Sequence, residues 1–214
     1  MFKYLVLLFS LFLFMSMNWN EFREVHYSKK IKPNDIKING GELEINVNGS
    51  SSALGYKFDR PKVIYKIRIQ AEITGHINYQ NKQPGEKGAD DFPLRVGLIE
   101  KGDTKLNFFQ RAIAADWVVK LNDLGKSHGG FNKIHSFVFY IQKPAYNERF
   151  HPLSDYFFET IALGFNSGVL DGEFSLKKEI ESIGIWISAD GDDTQSSFKI
   201  KIKELKLTSP DTAS

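Results

Sequence analysis

The chain has 214 residues, enough for a core that needs no staples, and its 28 basic against 26 acidic side chains leave a formal net charge of +2. That near balance, with no basic cluster, argues against a nucleic-acid footprint. The absence of cysteine removes disulfides, thiolate catalysis, cysteine-type zinc sites and lipid attachment through cysteine, while an aromatic content of 14 %, with 18 Phe, suits a two-layer β core.

Lys3 precedes an apolar run over residues 4–15 that only Ser10 interrupts. Its length suits the core of a signal peptide and is short for a membrane span; a buried core helix is the competing reading. Ser16 fits the last position before a cut, but Phe14 is bulky for the position two before it. Residues 1–18 therefore read as a signal peptide or an uncleaved N-terminal anchor. Either implies an exported protein, periplasmic or extracellular, that meets a membrane only through this segment and only if it is uncleaved.

Residues 19–28 predict a first edge strand, and Pro33 with Asn34-Asp35 marks a turn. Leu43, Ile45 and Val47 alternate with polar residues, and Leu54, Tyr56 and Phe58 resume the alternation after Asn48-Gly49-Ser50-Ser51. Residues 42–58 thus predict a hairpin that Arg60-Pro61 closes. Residues 62–74 give the clearest strand, with Val63, Tyr65, Ile67, Ile69, Ala71 and Ile73 on one face and Lys66, Arg68, Gln70 and Glu72 on the other.

Residues 78–89 read as a polar loop, followed by Asp90-Asp91 and a strand over 92–100 with Leu94, Val96 and Leu98 inward. At residues 106–121 the period changes: Leu106, Phe109, Ile113, Trp117 and Leu121 follow the spacing of one amphipathic helix, with Gly125 as its stop. Residues 134–142 and 156–165 are apolar on both faces, as covered central strands are. Residues 174–180 predict a short strand or turn. In the next strand Ile183, Ile185, Ile187 and Ala189 face one way and Gly184, Trp186, Ser188 and Asp190 the other. Phe198, Ile200 and Ile202 then share a face until the phase flips at Lys203-Glu204 to Leu205 and Leu207, which predicts a β-bulge. The sum is a mainly β, antiparallel β-sandwich of jelly-roll type with one helix, a single domain over residues 19–208, and a frayed tail over 209–214.

Three stretches, SSALGYKFDRPKVIYKIRIQ, DDFPLRVGL with Asp90, Asp91 and Arg95, and IGIWISADGDDTQSSFKIKIKEL with Asp190, Asp192 and Thr194 in an Asp-x-Asp-x-Thr pattern, resemble a family of exported bacterial proteins designated domain of unknown function 3047. That family carries tryptophans where this chain has Tyr65 and Ile67. The resemblance implies an exported β-sandwich similar in outline to galactose-binding-like carbohydrate modules, and it carries over no catalytic residue.

Asp190, Asp192 and Asp193 crowd around Gly191, so the loop has three readings. It is a calcium site built from hard oxygen ligands, although no EF-hand glutamate follows; it is a solvated turn; or Asp190 or Asp192 pairs with Arg68 or Arg95 across the sheet. Calcium is the one cofactor the chain suggests. Trp186 is either a stacking platform that shares a polar face with Lys66, Arg68 and Gln70, suited to a sugar, or core beneath the helix. Adjacent Asp90-Asp91 reads as a turn leading into a strand rather than as the opposed carboxylates of a glycosidase. The five histidines show no metal-ligand spacing, and Gly164-Phe165-Asn166-Ser167-Gly168 lacks the serine of a nucleophile elbow. The leading expectation is a non-catalytic exported protein that binds a glycan or another component of the cell envelope. A glycan hydrolase with carboxylates that the sequence does not locate, and an envelope structural module, are its rivals.

Overall fold

The structure is a computed structural model that describes residues 13–210. The run over residues 4–15 lies almost wholly outside the described residues; its last part enters β1 (Leu13–Ser16), which pairs antiparallel with the C-terminal strand. The remaining strands are β2 (Arg23–Val25), β3 (Asp35–Asn39), β4 (Glu42–Asn48), β5 (Ser51–His76), β6 (Leu94–Thr104), β7 (Phe131–Tyr140), β8 (Glu148–His151), β9 (Ser154–Gly164), β10 (Val169–Asp190) and β11 (Ser197–Ser209). They form one sheet in the order β3-β4-β11-β5-β10-β6-β7-β9-β8, with β1 on β11 and β2 on β5. Every ladder is antiparallel except β7 with β9.

Two long strands turn this sheet into a β-sandwich. The first half of β5 pairs with β2 and with the second half of β10, while its second half pairs with β11 and with the first half of β10. Breaks in register lie between these halves, at Ser175/Ile180 and Ser182/Gly184. Pro61 falls opposite the second break, where no ladder bond is asked of its missing N–H. Side chains from both halves meet in one apolar cluster: Ile67, Ile69, Ile200 and Ile202 from one layer, and Leu94, Val96, Leu98, Ile185 and Ile187 from the other. A single sheet can do this only by folding over on itself at the breaks.

Several sequence expectations change. Residues 42–58 do not form a hairpin, because β11 inserts between β4 and β5; the local hairpin is β3–β4, turned at Gly40-Gly41 with both glycines at positive φ. Arg60-Pro61 does not end a strand but lies within β5. Residues 174–180 belong to the 22-residue β10. The bulge does form: Lys203 drops out of the ladder between Ile202 and Glu204, and Ile202 and Leu205 both enter the core.

The expected single helix breaks in two. Asn107 caps α1 (Phe108–Ile113) through a capping box with Gln110, Ala114 and Ala115 are extended, and α2 (Asp116–Gly125) then starts in a new direction. The break has a packing reason. Helix α1 buries nothing, whereas α2 lays Val118 and Leu121 on the outer face of the second layer. There a second apolar cluster gathers Val25, Ile99, Phe131, Ile134, Phe157, Ile183 and Trp186.

Trp186 is the centre of that cluster and is only 1 % exposed. Its two ladder partners are Gly55 on β5 and Gly97 on β6, so the indole lies in a trough with no side chain on either flank. A Cβ added at Gly97 would come within 2.5 Å of Ile134 and 3.1 Å of the Trp186 Cβ. Rings of Trp117 and Phe157 close over it edge-on, with centroids 6.3 and 6.1 Å away. Trp186→Ala is therefore expected to cost about 3–5 kcal/mol, read as a lower denaturant midpoint. An unchanged midpoint would show that the ring is not core.

Candidate functional site

On the outer face of the second layer, beside the Trp186 cluster, the sheet carries a row of buried charge. Strand alternation puts it there. Leu94, Val96 and Leu98 of β6 point between the layers, so Arg95 points outward; the same alternation turns Asp190 of β10 and Glu159 of β9 to that face. Arg95 is the hub. Its Nε donates to Glu159 at 3.0 Å, its Nη1 pairs with Asp190, and its Nη2 donates to the Asp90 backbone oxygen at 3.1 Å and reaches the Asp90 carboxylate at 3.5 Å. The Phe92 ring lies 4.7 Å from the guanidinium carbon.

A second guanidinium completes the network. Arg149 on β8 donates to Glu159 and to Asp90, both at 2.6 Å, and to the Gly85 carbonyl at 2.6 Å. Tyr146 adds a hydrogen bond to Glu159, His151 meets Asp90 at 3.0 Å, and Ser51 donates to Asp190 at 2.6 Å. Burial alone would raise Asp90, but the His151 contact and the charges of Arg95 and Arg149 hold its carboxyl below the usual range. Burial also works against the charge on Arg95, yet Glu159 and Asp90 outweigh it and keep the guanidinium charged.

The acidic loop is built on the same frame. The Asp91 carboxylate accepts from the backbone N–H of Asp193 at 3.3 Å, and from the N–H of Thr194 at 2.7 Å and its hydroxyl at 2.5 Å. Asp193 in turn accepts from the Asp90 N–H at 3.3 Å. Asp91 is raised because burial outweighs these bonds. Asp192 is raised furthest, to about 6, first by burial and then by the nearby Asp91 charge.

These pieces enclose a cavity of about 270 Å³. Tyr27, Trp117, Leu153 and Phe157 supply its apolar lining, and His151, Asp192, Asp193 and the Arg95, Asp90, Glu159 and Asp190 side chains its polar lining. Separate stretches of chain meet there, among them the segment after β2, the start of β5, the turn before β6, the start of α2, the β8–β9 hairpin and the loop after β10. Polar groups fixed in buried bonds next to aromatic walls are the usual make-up of a small-molecule site.

The residues singled out from sequence are redistributed. Trp186 shares no open face with Lys66, Arg68 and Gln70. It is buried under α2, because Trp117 and the two flanking glycines make it core, and its ladder position lies far along β5 from those three. Lys66 pairs with Glu173 at 3.0 Å, Arg68 with Asp171 and Glu204, and Gln70 with Asp171 at 2.9 Å, which makes a solvated ladder of cross-strand pairs. Of the three metal candidates, Asp190 takes the cross-sheet pairing with Arg95, Asp193 bonds the Asp90 backbone, and Asp192 stands at the cavity, so the three carboxylates do not converge. Among the described residues, ligand-type atoms of Asp90, His151 and Glu159 do lie within 4.8 Å of one another, and Arg95 and Arg149 already hold those carboxylates. Two guanidiniums do not fit a dication at that point.

Sequence reasoning missed Glu159, Arg149, His151 and Trp117 as site residues. Glu159 offered one signal, a lone carboxylate in an otherwise covered strand. Compared with known proteins, the chain matches no family model and no curated sequence.

The raised Asp192 carries a stability consequence. A carboxyl whose folded value exceeds its unfolded value of about 4 favours folding in acid, and loses that favour as pH rises through about 6. Asp192→Asn is therefore expected to melt at higher temperature than the natural protein above pH ~7, with the gap closing as pH falls from about 6 to about 4. A gap that does not change with pH would show that Asp192 is not the perturbed group.

Proposed function

We propose that this protein is an exported, non-catalytic β-sandwich that binds a carbohydrate, and that it does so in the cavity between Trp117 and the Asp192 loop. One observation carries the reading: the aromatic rings of Trp117, Phe157 and Tyr27 line the same space of about 270 Å³ as a set of carboxylates and His151. A sugar ring presents C–H groups on one face and hydroxyls at its edge. The first suit an aromatic ring, and the second donate to carboxylates. The buried ion network helps, because its oxygens are held in place before a ligand arrives, and preorganisation lowers the entropy lost on binding. Two of the three stretches that carry the family resemblance, those with Asp90-Asp91-x-x-x-Arg95 and Asp190-x-Asp192-x-Thr194, meet at this cavity, which supports the same reading. The apolar run over residues 4–15 supports action outside the cytoplasm.

A glycan array with the mature protein tests this. Binding is expected for the natural protein and is expected to fall at least about tenfold for Trp117→Ala, whose ring is half-buried at the cavity wall. Array binding that survives Trp117→Ala unchanged would remove the cavity from the proposal. A second reading, glycan hydrolysis, is favoured by the pairing of a raised carboxyl, Asp192, with a lowered one, Asp90, at one cavity. It predicts new reducing ends on incubation with the bound glycan, lost in Asp192→Asn. Binding without new ends leaves the non-catalytic reading.

A further inference from the structure

The cavity holds more negative charge than the protein itself balances. Asp90, Glu159 and Asp190 are paired with Arg95, Arg149 and His151, and Asp91 is occupied by the backbone of residues 193 and 194. Asp192 and Asp193 form no ion pair among the described residues, although both line the cavity. Six carboxylates thus stand against two guanidiniums, which leaves a net charge of −4, or −3 with His151 protonated. The raised affinity of Asp192 for a proton has the same physical origin: a half-buried carboxylate near other carboxylates lacks a cation.

The aromatic lining suits a cation as well. Trp117 and Tyr27 are half-buried at the cavity, and Phe157 lies 5.0 Å from Trp117, centroid to centroid. Aromatic faces and unpaired carboxylates around one space attract an organic cation by both the ring quadrupole and direct charge. An acidic sugar would meet repulsion there. A neutral sugar would leave Asp192 and Asp193 uncompensated.

Resting on the carbohydrate reading above, we infer that the cavity selects amino sugars: the ammonium group lies against Asp192 and Asp193 while the sugar ring stacks on the Trp117 wall. The selecting residues are those of the loop after β10, and the recognised feature is a free amine rather than its acetylated form.

Titration calorimetry near neutral pH with four probes separates the outcomes: a glucosamine oligomer, the matching N-acetylglucosamine oligomer, an oligogalacturonate and choline. The glucosamine oligomer is expected to bind at least about tenfold tighter than its acetylated counterpart, with no binding of the oligogalacturonate. In the Asp192→Asn/Asp193→Asn double variant that preference should shrink to less than about threefold, with far-UV circular dichroism unchanged. Equal or tighter binding of the acetylated oligomer would overturn the charge selection and leave carbohydrate binding standing. Binding of choline without either oligomer would overturn the carbohydrate reading and define an organic-cation site. Failure of all four probes to bind would overturn both.

Discussion

The guanidinium of Arg95 is the constraint on which the rest of the outer face depends. It is 6 % exposed and reaches a carboxylate on β10, another on β9 and a third in the turn before β6. A buried ion pair does not by itself make a fold stable, because desolvating both charges offsets most of their attraction; removing one partner, however, strands the other at a cost of about 3–5 kcal/mol. Such a hub acts as a register lock. A one-residue slip of β6 would turn Arg95 into the apolar inter-layer core and take its charge from three carboxylates, leaving Asp190 with no cation. Saturated bonding is what makes the arrangement tolerable: Asp190 is met by Arg95 and Ser51, Glu159 by Arg95, Arg149 and Tyr146, and Asp90 by both guanidiniums and His151.

From that hub the position of the cavity follows. The two layers share one sheet because β5 and β10 bend between them, and the bend leaves the second layer with an outer face that α2 covers only in part. Where α2 covers it, the face is apolar and centred on Trp186. Beyond the start of α2 the face is charged, and Trp117 stands at the boundary with its ring against both Trp186 and Phe157. The cavity is the step between the covered and uncovered parts of one surface, which explains why aromatic and carboxylate side chains line it together.

The loop after β10 contrasts with this saturated network. Asp91 ties down its far end through Thr194, yet Asp192 has no cation and is held at a half-buried position near Asp91. Beside the ion-paired Asp90, Glu159 and Asp190, a carboxylate without a cation at a cavity wall is a local cost to folding, and binding sites are where proteins retain such costs.

Much of this was legible in the chain. Alternation showed most of the strands, the phase flip at Lys203-Glu204 showed its bulge, and the choice of Arg95 as a partner for Asp190 was among the sequence alternatives. These are local signals: side-chain period and charge type act within a few residues. The hairpin expected over residues 42–58 failed because a strand from the other end of the chain, β11, competes for β4 and wins the edge, and no local pattern records such a competitor. Trp186 could be read from the chain as a platform, because its strand neighbours are polar or small, or as core beneath the helix; the tertiary structure decides for core by setting Gly55 and Gly97 beside it and Trp117 above. Glu159, Arg149 and His151 were invisible as a set, since they and Arg95 are brought together by strand order and not by spacing. The sequence by itself determined that this is a β protein with an acidic loop that faces water, pairs with a cation or holds a metal; the fold alone decided which charges meet, because burial and pairing depend on which strands become neighbours.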